Sequence, residues 1–184
     1  MHHKVTQIDR MTTAAEQLYT AEVGGSHAIH TLHAVGANAT LRSLLQSGNT
    51  AGLRAFVQRE YRYVWYHWHV SYLSLRRGPA TLINVGVPFV MPGPQMTLPG
   101  GTTLRISMQD EIGFVRLEHR IHPNVQVLIR GGGQLRTSLH SAAFAKLPAS
   151  GTVKLSGRNY EVRSFHEVDW SGQPVTIWIL MKGH

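Results

Sequence analysis

The sequence predicts an α+β fold, with helices first and an antiparallel sheet after them. Two observations carry that expectation. Through residues 1–62 apolar side chains recur every three to four positions, whereas from residue 63 onward they mostly alternate in short runs separated by Gly, Pro, Asn and Ser. The run from Leu104 to His119, LRISMQDEIGFVRLEH, then changes period in the middle. Leu104, Ile106 and Met108 alternate with Arg105, Ser107 and Gln109, while Ile112, Phe114, Val115 and Leu117 fall closer to helical spacing. A strand is therefore expected to pass directly into a helix, with Asp110 placed to cap it.

In the N-terminal part, Ile8, Met11, Ala15 and Leu18 mark a first helix that Gly24-Gly25 ends. Ser26 is placed to cap a second helix carrying Ile29, Leu32, Leu41, Leu44 and Leu45. Beyond Ser47-Gly48-Asn49, a third brings Leu53, Phe56, Val57, Tyr61 and Val64 to one side. Tyr63 to Leu75 reads as a strand, Arg76-Arg77-Gly78-Pro79 as a turn, and Thr81 to Val87 as its hairpin partner. Val90 to Gly101, rich in Pro and Gly, reads as an irregular loop over the surface or a pocket. After the strand-helix junction, Val125 to Arg130 and Gln134 to Ser138 form a hairpin around three glycines. Ser141 to Leu147 is a short helix, and Thr152–Leu155, Tyr160–His166 and Val175–Met181 are the strands of a meander.

A chain of 184 residues is large enough for one domain with a real core, and nothing in its length requires a second, so 1–184 is read as a single domain. With 42% hydrophobic and 15% charged residues it belongs to the folded class. The absence of cysteine excludes disulfides, thiolate nucleophiles and Cys-ligated metal centres. No apolar run approaches the roughly 20 residues that span a bilayer, and the opening MHHKVTQIDR lacks the apolar core of a signal peptide, so a soluble domain is expected. The net charge of +8 comes from dispersed residues, with Arg76-Arg77 the largest cluster. It reads as a solvated surface, and no nucleic-acid partner is expected.

Three segments resemble the single Cache domains, PAS-like extracytoplasmic sensor modules, in particular those of actinobacterial sensor proteins. They are HAIHTLHAVGANATLRSLLQSGNTAGLRAFV, then NVGVPF with RISMQDEIGFVRLEHR, and LPASGTVKLSGRNYEVRSFHEVDWSGQPVTIWIL. The resemblance implies long N-terminal helices packed on a PAS-like antiparallel sheet of about five to seven strands, with a small ligand on the opposite face. It also implies sensing rather than catalysis, an extracytoplasmic location and a membrane-anchored signalling partner.

Two constellations offer ligand contacts. In a strand, Tyr63, Trp65, His67, His69 and Ser71 would share one face, where aromatic walls with polar tips suit a small polar ligand. On the strand before the helix, Arg105 is suited to pair with a carboxylate, Ser107 and Gln109 to hydrogen-bond it, and Asp110 to accept from an ammonium or hydroxyl. The ligand-binding set is thus Trp65, His67, His69, Arg105, Ser107, Gln109 and Asp110. His67-x-His69 also places two imidazoles together, but a metal needs a further ligand, and His140, His166 and Glu118 are mere nominations; no metal or cofactor is expected. No G-x-S-x-G, HExxH or phosphate-loop motif appears, so no catalytic residue is assigned.

The expected function is a non-enzymatic sensor domain binding a small polar metabolite, such as a carboxylate or amino acid, between the sheet and the loop Val90 to Gly101. A homodimer through the apolar positions of Ile8 to Leu18 is a possible assembly. The alternative is a small α+β enzyme or metal-binding protein using His67 and His69.

Overall fold

The computed structural model describes residues 5–139 and 147–183. The fold is α+β, with two antiparallel sheets. The chain divides into two compact units, residues 21–110 and residues 1–20 with 111–184. The reason lies in the strands, which form a four-stranded and a five-stranded sheet instead of one sheet of five to seven.

Helix α1 (Gln7–Gly24) opens the chain. Its start is a capping box: the Asp9 amide donates to Thr6 Oγ1 and the Thr6 amide to Asp9 Oδ2, both at 3.3 Å.

In the unit of residues 21–110, α2 (Ser26–Gly36), α3 (Ala39–Ser47) and α4 (Thr50–Glu60) precede the four-stranded sheet. The single helix expected from Ser26 to Leu45 is two helices, because the Asn38 side chain accepts from the Leu41 amide at 2.9 Å and starts α3 afresh. Ser26 is not the cap of α2; Gly25 holds that position, with no side-chain bond. At the end of α3, Gly48 takes φ 70°, a left-handed conformation that costs glycine little.

The strand expected from Tyr63 does not form. After α4 the backbone widens into a π-helical turn, Tyr61–Trp65, and then a tight turn, with Tyr66 N–H bonded to Tyr61 O at 2.8 Å and Val70 N–H to Trp65 O at 3.0 Å. The core explains the choice. Trp65 and Val70 are both buried, and side chains five apart would lie on opposite faces of a strand.

Strands β1 (Tyr72–Arg77), β2 (Ala80–Gly86), β3 (Gln95–Thr97) and β4 (Thr102–Ser107) follow, in the order β2-β1-β4-β3. The β1–β2 hairpin is as expected, and β3 lies inside the segment expected to be irregular. Leu73, Leu75, Ile83, Leu104 and Ile106 on one face pack with Leu32, Val35, Leu41, Leu53 and Val57 of the helices in a single apolar cluster.

In the other unit, α5 (Glu111–Ile121) leads to β5 (Val125–Gly131), β6 (Gln134–Thr137), β7 (Gly151–Leu155), β8 (Arg158–Val168) and β9 (Pro174–Lys182), ordered β6-β5-β9-β8-β7. The hairpin and the meander are both present as expected. The short helix expected from Ser141 falls, except for Leu147, outside the described residues. This sheet is apolar on both faces. Leu128, Val162, Trp178 and Leu180 cluster with Leu147 on one face. The opposite face meets α1, where Arg163 Nε donates to Asp9 Oδ1 at 2.9 Å and Tyr19 packs edge-on against Phe165 and against Phe114 of α5.

Candidate functional site: the polar face of the four-stranded sheet

Because Leu73 and Leu75 of β1 and Leu104 and Ile106 of β4 face the helices, the residues that alternate with them, Ser74, Arg105 and Ser107 among them, share the outer face. The register places Asn84 of β2 opposite Ser74 of β1, Ser74 opposite Arg105 of β4, and Arg105 opposite Gln95 of β3. One polar row therefore crosses the whole sheet, with Arg105 as its cation. Tyr72 and Ser107 pair in the adjacent row. Ser74 and Ser107 are buried, at 5% and 0% exposure, although they belong to this polar face.

The segment before β3 borders the face. Ile106 N–H donates to Pro94 O at 3.2 Å, Met91 N–H to Gln109 O at 3.0 Å, and Val90 bridges Asp110. At Gly93 a Cβ would stand 1.6 Å from Ile106 O, so only glycine lets the backbone pass this close. Arg105 Nε donates to Gly93 O at 3.3 Å, which ties the guanidinium to the segment. Burial pulls the Arg105 pKa below its ordinary value, but an arginine remains a charged, five-donor fork.

Of the residues expected from sequence, Arg105 and Ser107 lie together on this face. Gln109 and Asp110 continue beyond β4, and Ser107 Oγ donates to the Gln109 carbonyl at 3.0 Å. The structure corrects the aromatic group, which does not join them. Trp65 is a core residue at 1% exposure, edge-on to Phe56 with centroids 6.2 Å apart. His67 and His69 lie in the exposed turn after the π-helical segment, not on a strand face. The shared-face argument for all three lapses with the strand that carried it.

His69 has φ 69°, the left-handed region that non-glycine residues enter at a cost. His69→Gly is therefore expected to leave stability unchanged or raise it by up to about 1 kcal/mol, read as a denaturant midpoint. A clear drop would show that the imidazole makes a stabilising contact. Near it, burial pushes the Glu22 carboxyl up, against the lowering influence of His27 and His69.

Among the described residues, no three His, Asp or Glu side chains converge as metal ligands. Of the nominated third ligands, Glu118 is bonded to His122 Nδ1 at 2.8 Å, His166 Nδ1 lies 3.2 Å from Thr176 Oγ1, and His140 is outside the described residues. Sequence reasoning missed Ser74, Asn84 and Gln95. The hairpin register held the signal for the first two, whereas Gln95 sits in a strand hidden by its Pro- and Gly-rich surroundings.

Compared with known proteins, the chain matches no family model, no curated protein and no solved structure.

Proposed function

We propose that this chain is a non-enzymatic, Cache-like sensor domain that binds a small polar metabolite carrying a carboxylate on the outer face of the four-stranded sheet. The observation that carries this reading is the row Asn84–Ser74–Arg105–Gln95, polar across all four strands while the opposite face forms the core. Charge-assisted pairing with Arg105 would hold the carboxylate, and the exposed side-chain amides of Asn84 and Gln95 in the same row would orient the remainder of the ligand. The resemblance to Cache domains supports sensing over catalysis, and with it an extracytoplasmic setting and a membrane-anchored partner. The apolar positions Ile8 and Ala15 of α1 are already buried within the fold, so a homodimer through that helix is not part of the proposal.

Ligand binding stabilises the state it binds, so a melting-temperature screen against small carboxylates and amino acids tests the site. A carboxylate that raises the wild-type melting temperature is expected to lose its effect in Arg105→Ala and to keep it in His67→Ala. A shift that survives Arg105→Ala, or no shift from any carboxylate at millimolar concentration, would overturn the assignment of this face.

A further inference from the structure

The turn that replaces the expected strand exposes a group of rings that the proposed ligand site does not use. Tyr63, Tyr66 and Trp68 are 62%, 57% and 41% exposed, three large apolar side chains within six residues. Their presentation is fixed by the fold, since buried Trp65 sits between them and the π-helical hydrogen bonds hold the backbone on either side. Exposed arginines accompany them: the Arg62 guanidinium lies 5.4 Å from the centroid of the Tyr63 ring, and that of Arg59 5.8 Å from Phe56. From Arg54 to His69 the chain carries three arginines against one glutamate.

We infer that this turn is a docking surface for an anionic lipid bilayer. Tyrosine and tryptophan have an apolar body and a polar tip, which suits the boundary between headgroups and acyl chains, and arginines beside them gain from negative surface charge. The other occupants fit less well. A second copy of the chain would bring like charges together on a protein of net charge +8, and three rings from one turn fall far short of the roughly 800 Å² per partner of a stable interface. Single-stranded nucleic acid uses stacking rings set along a basic groove, whereas these rings stand on a helix end and the turn after it.

The test is co-sedimentation of the whole chain with phosphatidylcholine vesicles, with and without phosphatidylglycerol. Binding is expected to be at least about tenfold stronger with phosphatidylglycerol and to weaken as salt rises. Tyr63→Ala/Tyr66→Ala/Trp68→Ala should lower it at least about tenfold, and Arg59→Gln/Arg62→Gln should remove the preference for phosphatidylglycerol. Brominated lipids should quench wild-type tryptophan fluorescence, and Trp68→Phe, a change small enough to spare the fold, should abolish that quenching. The inference is overturned if the wild type ignores phosphatidylglycerol vesicles at low salt or if the ring variant binds like the wild type. It is equally overturned if the same surface retains a single-stranded oligonucleotide but no vesicle.

Discussion

Trp65→Ala is expected to destabilise the protein by about 3–5 kcal/mol, the range for truncating a fully buried tryptophan. Trp65 is 1% exposed, belongs to the cluster that joins the helices to the four-stranded sheet, and packs edge-on against Phe56. It also ends the π-helical turn, and its carbonyl accepts from Val70 N–H at 3.0 Å and from Trp68 N–H at the same distance. The cavity would therefore open where the backbone register depends on the side chain that fills it. Urea unfolding should show the loss as a lower midpoint. A cost below about 1 kcal/mol would mean that Trp65 is a replaceable surface ring, contrary to its place in the core.

The second large effect is expected at Tyr19, in the other unit. Its hydroxyl donates to Glu111 Oε1 at 2.8 Å, and both residues are buried. Removing one partner of a buried hydrogen bond is costly, so Tyr19→Phe should lose about 1–3 kcal/mol at neutral pH. Burial, followed by the negative charge of Glu111, holds the phenol pKa well above its ordinary value. Folding therefore favours the protonated phenol. That stabilisation is fully present below the unfolded tyrosine pKa of about 10 and is lost as the pH rises above it, by about 1.4 kcal/mol per pH unit for one proton. Burial raises Tyr61 as well, so the wild-type slope contains both residues. The difference between wild type and Tyr19→Phe isolates Tyr19. Parallel stability curves between pH 9 and 11 would show that the buried bond to Glu111 is not what sets the slope.

Around the candidate site, local pattern and tertiary structure contributed different things. The alternation in LRISM is enough to put Leu104 and Ile106 on one face and Arg105 and Ser107 on the other, because side-chain direction in a strand has period two. No local rule says that Asn84, Ser74 and Gln95 share a row with Arg105; strand order and register decide that.

From the sequence by itself came the α+β class, the direct passage from β4 into α5, the two hairpins and the C-terminal meander. All of these follow from periodicity and turn chemistry acting over a few residues. Only the tertiary structure decided the split into two sheets and the fate of EYRYVWYHWHV. Alternating aromatic residues satisfy a strand and a widened helical turn equally well, and the choice falls to whichever buries Trp65 and Val70 together. That outcome takes His67 and His69 out of the ligand face and leaves Tyr63, Tyr66 and Trp68 in solvent, because burial is a property of the whole packed chain and not of any short segment.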